Sequence, residues 1–284
     1  RAMKMFELLE DKGYDPGFID GEGRDLFMRA LTSNDNVEML EKFYKMSEEP
    51  EVADNYGYSG VLLTVADEAT SEERLAFLES KGFDLTITND RGQTALHMLM
   101  ANREEEAEGY DALMARGFDV NAVDNAGNTP LLLALSFKEP AVIETLLDAG
   151  ANATAANNKG VTPLLAALLR GEDFAGVIDR LIAAGADLTA KDAKGGTALT
   201  YAVKGGQPIE LLQKIVDAGV DLDAKDGEET TALMHAALLG KDTSTIEFLL
   251  AAGADKSVKD VFDDTAVLMA QDNPALKDHP LLAK

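Results

Sequence analysis

A short word returns down this chain at intervals of 33 to 35 residues, and it constrains the fold more than any bulk property does. Its clearest copies read Asp124-Asn125-Ala126-Gly127-Asn128-Thr129-Pro130-Leu131 and Asn157-Asn158-Lys159-Gly160-Val161-Thr162-Pro163-Leu164. Two others are Asp90-Arg91-Gly92-Gln93-Thr94-Ala95-Leu96 and Asp192-Ala193-Lys194-Gly195-Gly196-Thr197-Ala198-Leu199. The Gly, or its substitute, stands at 23, 57, 92, 127, 160, 195, 229 and 263. So regular a period marks stacked supersecondary pieces, none of which can bury its apolar face alone. Asp or Asn opens the word because its side chain satisfies local backbone donors, and Gly takes a positive φ cheaply. Thr then sits where its hydroxyl caps a helix, and Pro fits the first helical turn, whose amide has no intrahelical acceptor. The word therefore specifies a β-turn followed at once by a helix.

A second word closes each repeat, as in Leu146-Leu147-Asp148-Ala149-Gly150-Ala151-Asn152, Leu181-Ile182-Ala183-Ala184-Gly185-Ala186-Asp187 and Leu249-Leu250-Ala251-Ala252-Gly253-Ala254-Asp255. A large aliphatic residue stands four before the Gly at Leu9, Leu78, Leu113, Leu146, Leu181, Ile215 and Leu249. A second helix ends there against a Gly suited to a left-handed C-cap. Val142 and Ile143, three or four residues ahead of Leu146 and Leu147, give that helix its buried face.

These words and their period resemble the ankyrin repeat family over essentially the whole chain, from about residue 3 to 271, with a bacterial-looking, stand-alone character. The resemblance implies an all-α solenoid of stacked helix-turn-helix units with β-turn fingers, in which fingers and first helices line a concave face. It also implies protein binding along that face and no chemistry of its own. We expect one domain over 1–284 with about eight repeats, the first entered at its second helix, Met3 to Leu9, and an irregular cap after 271. A chain opening inside a repeat at Arg1 is expected to have lost upstream sequence. Departures from the family pattern are visible. Of the aligned positions only His97 keeps the family's Thr-Pro-Leu-His histidine; Leu132, Leu165, Thr200, Met234 and Leu268 stand at the others, and His235 falls one place later. The repeats around Gly23 and Gly57 carry Asp25 and Ser59 in place of the capping Thr, which suggests capping or a specialised surface. At the other end Asn273-Pro274 breaks the last helix, and Lys277 to Lys284 is expected to be a short capped helix or an irregular tail.

The 284 residues carry 51 Asp and Glu against 26 Lys and Arg, a formal net charge of -25 at pH 7, denser toward the N-terminus. Nucleic acid is thereby disfavoured, because its binding depends on basic side chains displacing counterions, and anionic membranes are disfavoured likewise. A partner protein with a basic surface is attracted and steered. Much of the excess can equally serve solubility. With no cysteine there is no disulfide, thiol nucleophile or thiolate metal site, and either redox compartment is open. No apolar run is long enough to insert in a membrane.

Chemistry-bearing constellations are lacking. His97, His235 and His279 belong to different repeats or the tail, so no two of them share a zinc site; His97 is expected to bond within its turn and His235 to face the groove. Carboxylate pairs such as Asp20 and Glu22, or Asp221 and Asp223, fall in repeat turns without the ordered spacing of a calcium loop. The run Glu104 to Glu108 reads as a solvated helix start favoured by the dipole, or as an acidic contact patch. Lys194-Gly195-Gly196-Thr197 has its Lys ahead of the glycines and is no phosphate loop. We therefore expect no catalytic residue, no metal site and no cofactor.

Register points to the groove instead. The residue after each Thr-x-Leu-x segment should face it, giving Met98, Leu133, Ala166, Tyr201, His235 and Met269. The fingers add Tyr56, Tyr58, Arg91, Asn125, Asn128, Asn158, Lys159, Lys194, Glu228, Glu229 and Phe262. Aromatic groups inside a polar border are the usual energetic centre of an interface, so Tyr56 with Tyr58 is the favoured hot spot, against local packing of one ring on the next repeat. The expected function is a monomeric, partner-binding inhibitor or scaffold. Its resemblance to exported bacterial ankyrin proteins that neutralise the cell's own wall-degrading enzymes favours the periplasm slightly over the cytoplasm. The alternative is the regulatory or scaffolding part of a larger enzyme or effector.

Overall fold

The computed structural model describes residues 18–33, 36–66, 72–101, 110–137, 139–241 and 243–276. The expected helix at 3–9 with Leu9, the acidic run 104–108, and the tail from Lys277 with His279 lie outside the described residues. The described residues hold fifteen α-helices and no β-sheet; Lys191–Thr197 and Lys259–Thr265 form isolated bridges. The chain divides into two compact units, Arg1–Lys138 and Glu139–Lys284.

In the N-terminal unit, first helices α1 (Leu26–Ser33), α3 (Gly60–Ala66), α5 (Ala95–Ala101) and α7 (Pro130–Phe137) alternate with second helices α2 (Val37–Met46), α4 (Glu72–Ser80) and α6 (Tyr110–Ala115). The first helices pack on one another in chain order. The C-terminal unit opens with α8 (Pro140–Asp148), the second helix of its repeat. It continues α9 (Pro163–Leu168), α10 (Ala175–Ala183), α11 (Ala198–Lys204), α12 (Ile209–Asp217), α13 (Ala232–Leu239), α14 (Ser244–Ala252) and α15 (Ala266–Gln271). There α9, α11, α13 and α15 pack in sequence, as do α8 with α10 and α12 with α14.

The turn word does what its chemistry requires. Thr129, Thr162, Thr197, Thr231 and Thr265 each accept the amide three residues on, which caps a first helix. Asp25 and Ser59 accept the amides of Met28 and Leu62 in the same way, so the two irregular repeats are properly capped. The closing aliphatics Leu78, Leu113, Leu146, Leu181, Ile215 and Leu249 are all fully buried.

Three side chains stitch consecutive repeats by capping the C-terminal carbonyls of the preceding first helix. Buried Arg74 donates Nη1 to Leu31 O at 2.8 Å, Gln207 Nε2 donates to Leu168 O at 2.9 Å, and Asn273 Nδ2 donates to Ala237 O at 2.9 Å and Gly240 O at 3.0 Å. Second helices are joined by ion pairs: Lys81 to Glu41, Arg116 to Glu72 and Glu79, Arg180 to Glu144 and Asp148, and Lys214 to Asp179. The irregular N-terminal repeats also share an aromatic cluster. Phe27, Tyr44, Phe77 and Phe83 meet with ring centroids 5.5 to 6.1 Å apart, and Lys81 lies over Tyr44 and Phe77.

Candidate partner-binding surface

Each finger is built around its first residue. The Oδ1 atoms of Asp20, Asp54, Asn89, Asp124, Asn157, Asp192, Asp226 and Asp260 accept the amides two and four residues on. The backbone then turns through a positive φ at all eight predicted positions, including the non-glycine residues Glu229 (57°) and Asp263 (65°). Fingers also bond to their neighbours: Asn55 N donates to Glu22 O, Asn125 N to Arg91 O, and Ala193 N to Lys159 O. At Gly195 the approach is so close that an added Cβ would lie 2.5 Å from Lys225 O. The finger surface is therefore rigidly held without using the side chains at its tips.

In the N-terminal unit Tyr56 is 59% exposed, while Tyr58 is half-buried, so the two-tyrosine finger offers one free ring rather than two. Arg91 is exposed at the next tip. Asn125 is exposed but commits its amide, Nδ2 donating to Asp90 O at 2.9 Å, and Asn128 spends its own on Asp124 Oδ2 at 3.1 Å. Met98 and Leu133 are half-buried. His97 is fully buried in the turn network: Nε2 donates to Asn128 O at 3.0 Å, which leaves Nδ1 to accept from Thr94. Burial holds its pKa below the usual value, against the opposing effect of the hydrogen bond it donates to the Asn128 carbonyl.

In the C-terminal unit Asn158, Lys159, Glu228 and Glu229 are exposed, and Phe262 is 80% exposed. Glu229 pairs with Lys225 at 3.3 Å. Tyr201 is half-buried, its hydroxyl donating to Asp192 Oδ2 at 2.8 Å, and burial followed by that carboxylate pushes its pKa up. His235 corrects the sequence reading. It is 4% exposed and its Nε2 lies 2.7 Å from Asp226 Oδ2, so the ring faces its own finger and not a groove; Met269 is buried as well.

The reason is a register rule. Arg29 to Asp20, Tyr201 to Asp192 and His235 to Asp226 all span nine residues, from the fourth position after the capping residue back to the finger's first carboxylate. A polar side chain at that position is drawn to the carboxylate oxygen that the backbone leaves free. The Asp226 carboxyl, which burial pushes up, is held below its usual pKa by His235 and by the Glu228 and Thr230 amides. Ligand atoms of Asp226, Glu228 and His235 come within 4.8 Å of one another, and Lys204 stands 3.6 Å from Asp226. Tyr201 and Asp192 make the same bridge with no metal-ligating ring, so the His235 bridge is accounted for as a finger brace.

The third finger positions read Glu22, Tyr56, Arg91 and Ala126 in the N-terminal unit, and Lys159, Lys194, Glu228 and Phe262 in the C-terminal unit. The tips are thus uniformly acidic in neither unit: the first carries Tyr56 and Arg91, the second Lys159, Lys194 and Phe262.

Stacked helix pairs carrying internally braced fingers define a repeat scaffold. The sequence matches the family described as ankyrin repeats (3 copies) over the overlapping stretches 62–157, 98–192, 133–226 and 164–260, which together span more than half of the chain. The chain belongs to the ankyrin-repeat family, and its general role is that of a protein–protein interaction module. No curated protein matches the sequence.

Proposed function

We propose that the protein binds a partner protein through its finger surface and holds it inhibited or sequestered. The observation that carries this reading is the pair of aromatic tips, Tyr56 and Phe262, which stand out from fingers whose turns are completed by backbone and Asp side chains. An exposed ring with no local packing role is the kind of group that anchors an interface.

The net charge of -25 supports a partner with a basic surface, whose approach such a field would steer, and argues against nucleic acid. No helix among the described residues is long and apolar enough to cross a membrane. The candidate partner class is a wall-degrading enzyme of the bacterial periplasm, with the protein acting as a monomeric self-protection factor in that compartment. That assignment rests on the likeness to exported bacterial ankyrin proteins. Capture from a periplasmic extract with the full chain, followed by mass spectrometry and an activity assay, tests it. A basic hydrolase inhibited in proportion to added protein is the expected result; capture that yields no enzyme would sink the assignment.

A further inference from the structure

The two fingers nearest the C-terminus break the rule that governs the other six. At 23, 57, 92, 127, 160 and 195 the positive-φ position is Gly; at 229 and 263 it is an acid. An L side chain in that conformation is strained, and glycine would relieve it. The same two fingers carry Phe262, the most exposed large apolar side chain among the described residues, beside Val261 at 64%. Glu228, at the tip position matching Phe262, is exposed and has no ion pair among the described residues. The carboxylates of Glu229 and Asp263 meet lysines of their own repeats at 3.3 Å, exposed pairs that an incoming cation can exchange.

We propose that these two fingers form a docking edge for a basic-apolar segment of a partner protein, an apolar or aromatic side chain flanked by Lys or Arg. Val261 and Phe262 receive the apolar group, while Glu228, Glu229 and Asp263 receive the flanking cations. Charge complementarity selects this occupant: exposed acids Glu228, Glu229 and Asp263 stand on the same two fingers as the exposed apolar pair, and Glu228 has no ion pair among the described residues. Acids stand at positive φ where glycine would fit, and their exposed pairs with Lys225 and Lys259 leave them able to meet an incoming cation. The inference rests on the proposed protein-binding role and narrows it to one edge of the C-terminal unit.

A random linear peptide library panned against the full chain provides the test. Enriched peptides should carry an apolar residue between Lys or Arg. The best of them should bind roughly tenfold or more weakly to Phe262→Ala, and more weakly as salt is raised. The double variant Glu229→Gly, Asp263→Gly should keep or raise its melting temperature while binding worse, a combination that a purely structural role for these acids does not give. Failure to enrich basic-apolar peptides, or equal binding by Phe262→Ala and the double variant, overturns the docking edge. Loss of binding with Tyr56→Ala alone would also overturn it while leaving the protein-binding reading intact. That broader reading fails if periplasmic capture yields no partner either.

Discussion

Gly195 and Gly185 have nearly the same backbone conformation, φ 89° and 91°, but different neighbours. A methyl group at Gly185 meets nothing within 4 Å, whereas at Gly195 it lies 2.5 Å from the Lys225 carbonyl oxygen. Alanine at either site takes on the left-handed penalty of about 1–2 kcal/mol. The smaller conformational entropy of the unfolded chain offsets about 0.4–1 kcal/mol of it. Gly185→Ala should therefore lose about 1 kcal/mol. Gly195→Ala adds overpacking against backbone, which has no flexible end to give way, and that adds about 1–3 kcal/mol. For a cooperative unit of this size each kcal/mol lowers the melting temperature by about 2–4 °C. Thermal melts followed by circular dichroism should thus show a small decrease for Gly185→Ala and one about two to four times larger for Gly195→Ala. Hydrogen exchange should quicken at the Ala193 amide, which donates to Lys159 O in the neighbouring finger, if the disturbance spreads along the row. Equal losses for the two variants would refute the argument that finger stacking, beyond positive φ, demands glycine here.

Arg74→Met leaves Leu31 O without its buried donor and should lose about 1–3 kcal/mol in urea unfolding, whereas a surface change such as Lys45→Met should lose little. Asp226→Asn keeps an oxygen for the Glu228 and Thr230 amides but weakens the His235 bridge, so it should be milder than Asp226→Ala, which removes both; unfolding midpoints that rank the other way would contradict the brace. Asp20 and Asp226 have carboxyls held below the ordinary value of 3.8, so their stabilisation is complete above that pH and is lost as pH falls through the lower folded values. His97, also held low, stays neutral in the folded chain while the unfolded chain takes up a proton below 6.5; stability should therefore decline as pH falls from 6.5, and His97→Gln should flatten that part of the urea-midpoint profile.

The repeat boundaries, caps and closing aliphatics were legible because each depends on residues a few places apart. Thr162 capping at Leu165 and Leu181 four residues before Gly185 are local facts that tertiary context does not alter. The cross-repeat links were not legible. Gln207 and Asn273 each precede a proline, and nothing local shows that their amides reach carbonyls 39 and 36 residues back. The same holds for Arg74, whose partner Leu31 O is 43 residues away. The candidate site was legible only in part: Tyr56 and Phe262 stand exposed as tip positions should, whereas at the register position expected to face the groove Met98 and Leu133 are half-buried and His235 and Met269 are buried. Asp226 nine residues earlier was the available signal, and Tyr201 with Asp192 repeats it.

The ion pairs divide the cations of the chain into two groups. On the second helices Lys81, Arg116, Arg180 and Lys214 are each engaged by carboxylates of the preceding repeat, so the cations there serve stacking and their charge is locally cancelled. Arg91, Lys159 and Lys194 instead stand exposed at finger tips. Within each unit of a chain carrying 51 acids the finger tips therefore differ in sign from one another more than the average charge implies. Uniform acidity would attract any basic surface. Tips of differing sign within one unit can reject a basic surface whose charges fall in the wrong places. Specificity in this scaffold is thus separable from folding, since the tip side chains can change without touching the Asp, Gly and Thr that build each finger.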